Sequence, residues 1–465
     1  MARKPRALLP STGGAQFRVN TMPISDHVVL VSIPGLRPGD LGHMPRLRSL
    51  VAAGDQAPLV PSFPCTSWTL QANLLTGQLP RRHGVTASGC YHRQHGDVEL
   101  WNPSSDVVSA PMIWDTLRDH HPELISAAWF PTIAGSCRSN YLCSVQPHYW
   151  QQPEEQNAYY TRPRRLYNTL RHALGPFPQT NTEQTASQFD ISSWIARSAS
   201  HVAHSAQPHL FYLSFSHLLE TGQQYGPDSS NTRHALTELD RALGILIDGF
   251  QSAYEGRNLL WLVASEFVIT PVDHVSYPNR RLREAGLLQV KTAEDGEHLD
   301  LHNSLAWAFV DHQYAHVYVK DATSSIIRKV TRLFTREAGI KRVLCGPELA
   351  DLYLNHPRSG EVVLISSPNS WQAYYWWMED AHAPQFARHI ASTIVKPAID
   401  PLELYANHRD GTIPFDTNLI HGSYGAPAST DAQRGVLLSS QRGVFTERAT
   451  CDTDVADLVL QQFGV

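Results

Sequence analysis

At 465 residues with a formal net charge of −5, the chain can bury a large core, as one α/β domain with an insertion or as two domains. Acidic and basic residues are mixed along it, without the basic stripe of a nucleic-acid binder, and no apolar run reaches the roughly 20 residues of a membrane span. Residues 1–26 are basic and then polar, with no apolar stretch of signal-peptide length. The expectation is a cytoplasmic protein that begins with a short disordered segment, touches neither membrane nor nucleic acid, and has an oligomeric state its sequence does not encode legibly.

In chain order, His27-Val-Val-Leu-Val-Ser-Ile33 is the first element, a continuous apolar run typical of a buried parallel strand. It stops at Pro34-Gly35. A helix fits Met44 to Ala53, with Leu47 and Leu50 on one stripe, and a second short helix holds Gln71 to Leu75 after the loop Pro61-Ser-Phe-Pro-Cys-Thr-Ser-Trp68. Helical Ala110–Arg118 precedes a strand over Leu124–Phe130. The stretch 131–185, rich in Pro, Asn, Gln and aromatics, reads as a loop-rich cap. Helix Ser187–His204 then leads to strand Leu210–Phe215, and helix Arg233–Phe250 to strand Leu259–Ser265. This alternation predicts a doubly wound, mainly parallel sheet with helices on both faces, and a smaller subdomain over about 290–415. Of the six cysteines (Cys65, Cys90, Cys137, Cys143, Cys345, Cys451), none forms a CxxC pair. Cys137 and Cys143 are close enough to be bridged, but reduced thiols are the expectation.

In open parallel sheets ligands bind beyond the carboxyl ends of the strands. That places a site where the loops at Pro34, at Ser216–Tyr225 and at Ser265-Glu266 meet the Cys65–Trp68 loop.

On these residues the chain resembles the type I phosphodiesterase/nucleotide pyrophosphatase family of the alkaline phosphatase superfamily. The match is carried by Val-Ser-Ile-Pro-Gly-Leu-Arg-Pro around Pro34 and by Phe63-Pro-Cys-Thr-Ser-Trp-Thr-Leu-Gln-Ala-Asn-Leu-Leu-Thr-Gly77. It continues through Leu79-Pro-Arg-Arg-His-Gly-Val85, Gly222-Gln-Gln-Tyr-Gly-Pro-Asp-Ser229, Val263-Ala-Ser-Glu266 and His421-Gly-Ser-Tyr-Gly425, in the family's order. The resemblance implies an alkaline phosphatase-like fold and two-step phosphoryl transfer. A Thr or Ser hydroxyl attacks phosphorus, and two zinc ions held by Asp and His clamp the attacking and leaving oxygens.

Residue by residue, the chain departs from that pattern. Pro34 stands where the family places its first Asp ligand, Leu219 and Gln223 where it places an Asp-His pair, Glu266 and Phe267 where it places another, and Tyr424 where it places the last His. Ser67 takes the nucleophile position, or Thr66 if the register slips by one, and Ser88 the position of a phosphate-contacting Asn. Of the seven catalytic and ligand positions, Ser67 and Glu266 alone keep usable chemistry. Ser67 reads more simply as the cap of a helix or part of a polar loop. His217 and Glu220 flank Leu219 and, with Glu266, are candidates for a rebuilt metal site; His421, Asp273 and His274 are further polar candidates near it. Asp311, His312 and His316 form a compact cluster that the resemblance places outside the metal shell. Asp228 reads as a turn or cap, and the aromatic run Trp371 to Trp377 as packing or as a substrate entrance. Two functions follow: a phosphodiesterase- or pyrophosphatase-like hydrolase with an altered site, taking a small phosphorylated molecule through Ser67, Glu266, Ser88 and Gln223, or a catalytically inactive relative that binds a ligand or serves as a scaffold.

Overall fold

The computed structural model describes residues 25–145, 159–178, 186–390, 399–407, 409–446 and 448–465; the first 24 residues, on which the expected disordered segment mostly falls, lie outside them. In chain order the elements up to residue 264 are β1 (His27–Ser32), α1 (Pro45–Val51), β2 (Gln56–Val60), α2 (Ser67–Thr76), α3 (Pro80–His83), β3 (Gly89–His92), β4 (Asp97–Leu100), α4 (Ile113–His120), β5 (Ser126–Trp129), β6 (Tyr141–Val145), β7 (Tyr159–Arg162), α5 (Arg165–Leu174), α6 (Gln188–Ala206), β8 (Leu210–Ser214), α7 (His217–Tyr225), α8 (Ser230–Ala253) and β9 (Leu259–Ala264), of which β3 and β4 form a separate antiparallel hairpin.

Every residue of β1 is buried, because parallel strands lie on both sides of it. β9, β1, β8, β5 and β6 form a parallel block. Antiparallel β7 closes one end, and the strand Gly435–Ser439 is inserted between β9 and β2 at the other. Successive residues of one strand point to opposite faces. Val29, Val31, Phe211 and Leu213 therefore pack into a core with α6 and α8. Val28, Leu30, Leu210 and Tyr212 pack into another with α2, α4 and the C-terminal helix Asp454–Gln461. Helices cover both faces, as the apolar runs predict.

The stretch 131–185 differs from expectation. Its described residues add β6 and β7 to the main sheet and lay α5 beside α6, so they extend the sheet edge and do not form a cap. The Asn-, Gln- and aromatic-rich flanks hide a short buried strand, Leu142-Cys143-Ser144, from any composition argument. Cys137 and Cys143, on opposite faces of that sheet, belong to different cores, and all six cysteines are free. The smaller subdomain is a four-stranded sheet made by Ala306–Asp311, Tyr314–Val319, Val362–Ser366 and Ile340–Cys345. Its core starts earlier than expected, at Val272, and takes in Trp371 and the whole Ala373–Trp377 run as buried packing. Among the described residues no helix is long and apolar enough to cross a membrane.

One buried polar chain ties the C-terminal segment to α2. Asp452, fully buried, accepts from Ser62 Oγ at 2.6 Å and from Asn73 Nδ2 at 2.7 Å. The Val85 amide donates to His83 Nδ1 at 3.1 Å, so Nε2 carries the proton and donates to Asn73 Oδ1 at 2.6 Å. Burial pushes His83 down to about 3, which keeps the ring neutral. The His of the Thr-Gly-x-x-Pro-x-x-His-Gly string is thus a support for the helix that carries Ser67. Replacing Asp452 by Ala strands two buried donors; urea unfolding of Asp452→Ala is expected to read a loss of about 2–4 kcal/mol, and a loss within about 0.5 kcal/mol, the range of ordinary surface substitutions, would contradict the role.

Candidate functional site at the carboxyl ends of the strands

Backbone hydrogen bonds stitch together the loops that leave the parallel strands. Ile33 N–H donates to Ala264 O at 2.9 Å, Gly35 N–H to Phe267 O at 2.8 Å, and Phe215 N–H to Ser32 O at 2.9 Å. Cys65 N–H reaches Gly425 O at 3.1 Å, and His421 N–H reaches Gln223 O at 2.9 Å. The approach is close enough to demand glycine at position 422, where a Cβ would sit 2.1 Å from the backbone oxygen of Gly222. Ser67 opens α2 and is partly exposed, while Trp68 through Leu75 are all buried. Thr66 holds the N-cap position with φ −120° and ψ 157° but makes no side-chain cap bond.

Glu266 leaves the end of β9 and is only 1% exposed. Ser32 Oγ donates to its Oε1 in a short hydrogen bond; its Oε2 has no partner among the described residues. Burial raises its pKa to about 7, against the pull of the Ser32 bond, and the charge of Asp452 adds to the rise. Beside it, Gln71 Nε2 donates to Ser214 Oγ at 3.0 Å, and Gln71 Oε1 accepts from Thr132 N–H at 2.9 Å. A second patch is apolar: Cys65, Leu70, Phe267, Ile269 and Tyr424 pack together with Leu219 against them. The rings of Phe267 and Tyr424 stack at 4.7 Å, and His312 lies 4.1 Å from Tyr424 on centroids.

A sequence model described as type I phosphodiesterase / nucleotide pyrophosphatase matches residues 28–391, a span that contains β1 through the subdomain. The chain belongs to this family. A curated relative, an uncharacterized pyrophosphatase/phosphodiesterase of Schizosaccharomyces pombe, is 24% identical over 267 residues, covering 57% of this chain and 49% of that protein; the chain thus matches about half the length of this curated relative. Among solved structures, phosphonoacetate hydrolase of Sinorhizobium meliloti in complex with phosphonoformate is similar at TM-score 0.61 and 15% identity, over 95% of this chain and 96% of the other. Murine ectonucleotide pyrophosphatase/phosphodiesterase 5 is similar at TM-score 0.60 and 14% identity, over 94% and 95%. These two likenesses establish the alkaline phosphatase-like fold.

Of the positions to which the sequence resemblance assigns metal ligands, Leu219, Phe267 and Tyr424 share the apolar patch, and Gln223 Nε2 donates to Leu219 O at 3.2 Å. The two flanking candidates turn elsewhere. His217 is buried between α6 and α8, with Nδ1 at 2.8 Å from Ser192 Oγ and Nε2 at 3.9 Å from Glu238, and burial lowers it to about 4. Glu220 is exposed and accepts from Gln188 at 2.7 Å. Ser88 is buried and uses its backbone N–H on Asp311 Oδ2 at 2.9 Å.

The Asp311–His316 cluster is structural in large part. Asp311 also accepts from Tyr314 OH at 2.8 Å, and His316 bridges Thr86 O at 3.0 Å and Gly360 N–H at 3.2 Å. Asp273, His274 and His421 line one small pocket of about 190 Å³ beside the site. Asp228 pairs with Arg37 at 2.6 Å; the cap of α8 is Ser229. Sequence reasoning missed Ser32, Gln71, Asn73 and Asp452. Gln71 and Asn73 carried a usable signal, because a helix flanked by apolar residues on every side obliges its polar members to find partners.

Glu266 holds its proton in the folded state at pH values where the unfolded chain has released it. Stability therefore falls as pH rises from about 4.5 to about 7, by about 3 kcal/mol in all. Glu266→Gln removes that penalty, so urea midpoints are expected to rise at pH 8 and to change little at pH 5; an equal change at both would show that the carboxyl ionises freely in the fold.

Proposed function

We propose that this chain has left the two-metal hydrolysis of its family and uses the retained pole of the fold to bind a small phosphorylated molecule. The observation that carries this reading is the packing of Leu219, Phe267 and Tyr424 into one apolar patch, at three positions where the family resemblance places metal ligands. Two divalent ions need several carboxylate or imidazole donors converging on one space. Pro34, Leu219 and Phe267 carry no donor, Gln223 offers a single amide oxygen, a poor zinc ligand, and the Tyr424 ring is stacked. Among the described residues no three His, Cys, Asp or Glu side chains are arranged to hold a metal. The donor set does not fit two zinc ions.

Binding draws on what remains. Ser67 sits partly exposed on the first turn of the ten-residue α2, where backbone N–H groups favour phosphate. The free thiols accord with a reducing, cytoplasmic setting. Protein loaded with zinc and then desalted is expected to retain substoichiometric metal and to leave a chromogenic phosphodiester at background turnover. A full equivalent of zinc, with turnover that disappears in Glu266→Ala, would overturn the proposal.

A second reading has its own observation: Glu266 titrates near neutrality close to the Ser67 loop, within reach of the Asp452 charge that also acts on Cys65. On it, Ser67 is the nucleophile of an altered hydrolase. Ser67→Ala separates the two, since it abolishes turnover above background on the second reading, whereas on the first there is no such turnover to lose.

A further inference from the structure

Away from these loops, the β3–β4 hairpin leans on the subdomain and leaves a cleft of about 640 Å³ between its tip and the turns at 301–304 and 320–322. That volume suits a ligand of drug-like size. No residue lining it comes from the loops that follow β1, β8 or β9, or from α2. Its floor is aromatic. Trp307 and Tyr318 stack at 5.1 Å and 23°, and Tyr91 meets both edge-on at 5.1 and 5.3 Å. Trp307 and Tyr318 are buried, and Tyr91 alone of the three is partly exposed.

The rim is polar and its members come from three segments. Arg93 lies over the Tyr318 ring at 5.2 Å and is fixed by Glu361 at 2.7 Å and Ser359 O at 3.0 Å. Glu361 is further occupied by the Val319 N–H at 2.7 Å, so its charge is spent within the wall. Lys320 uses one ammonium donor on His302 O at 2.9 Å, which leaves two facing outward. Next to it Asp321 and Ala322 both hold left-handed backbones, at φ 54° and 47°. For residues with a Cβ that conformation is costly, and such outliers cluster where ligands are clamped. A partly bare aromatic ring and a cation with spare donors lining one cleft are the recognition chemistry of a flat ring bearing an acid.

We propose that this cleft binds a small planar aromatic anion, its ring against Tyr91 and its acid group on Lys320. Calorimetric titration of the full chain with naphthoate, naphthamide and inorganic phosphate tests it. Naphthoate is expected to bind, the uncharged amide about tenfold more weakly, and phosphate not to displace bound naphthoate. Lys320→Glu, an exposed position that leaves the core intact, and Tyr91→Leu are each expected to weaken naphthoate about tenfold, with unchanged thermal unfolding for the former. Ser67→Ala is expected to leave the titration as it was, which separates this cleft from the phosphate site proposed above. Absence of binding, equal affinity for the amide, displacement of naphthoate by phosphate, indifference to Lys320→Glu, or loss in Ser67→Ala would each overturn the proposal.

Discussion

Helix α2 is buried from Trp68 to Leu75, and the need to satisfy its polar groups there organises what surrounds it. A buried amide left without a partner forfeits most of the stability its burial provides. Asn73 therefore draws Asp452 in from the far end of the chain, with Ser62 and His83 completing the chain of bonds. Gln71 draws Ser214 from β8 and the backbone of Thr132. Four distant segments are thereby held in one geometry, and the helix meets solvent at its two ends only, one of which is Ser67.

The loops beyond the strands then combine two environments that do not mix. Glu266 sits in the polar one, with a single hydrogen bond from Ser32 and a proton retained by burial. Leu219, Phe267 and Tyr424 belong to the other, where ring stacking and aliphatic packing exclude water. An uncompensated carboxylate in that setting costs several kcal/mol, so a neutral acid and an apolar wall are mutually consistent. The same fold can carry either kind of wall, which is why the fold and the chemistry must be argued separately.

Much of this was legible beforehand. Continuous apolar runs identify β1, β8 and β9, because a strand covered on both faces has no position left for a polar residue. Gly77 and Gly84 in the Thr-Gly-x-x-Pro-x-x-His-Gly string take left-handed backbones that end α2 and α3, so that string reports backbone geometry as much as chemistry. Less was legible at β6 and β7, whose few buried residues are flanked by polar and aromatic ones, and at His217 and Glu220, which neighbour Leu219 in sequence but leave α7 on other sides.

The sequence by itself determined the parallel α/β layer, the family and the order of the loops at its carboxyl edge. Those follow from local pattern and composition, which act over a few residues. Only the tertiary structure decided that Leu219, Phe267 and Tyr424 touch one another, that Asp452 and His83 support α2, that Asp311 reaches back to Ser88, and that a hairpin and a subdomain enclose an aromatic cleft. Each joins residues separated by tens to hundreds of positions, and burial and hydrogen-bond satisfaction select such pairs in space with no trace in their spacing along the chain.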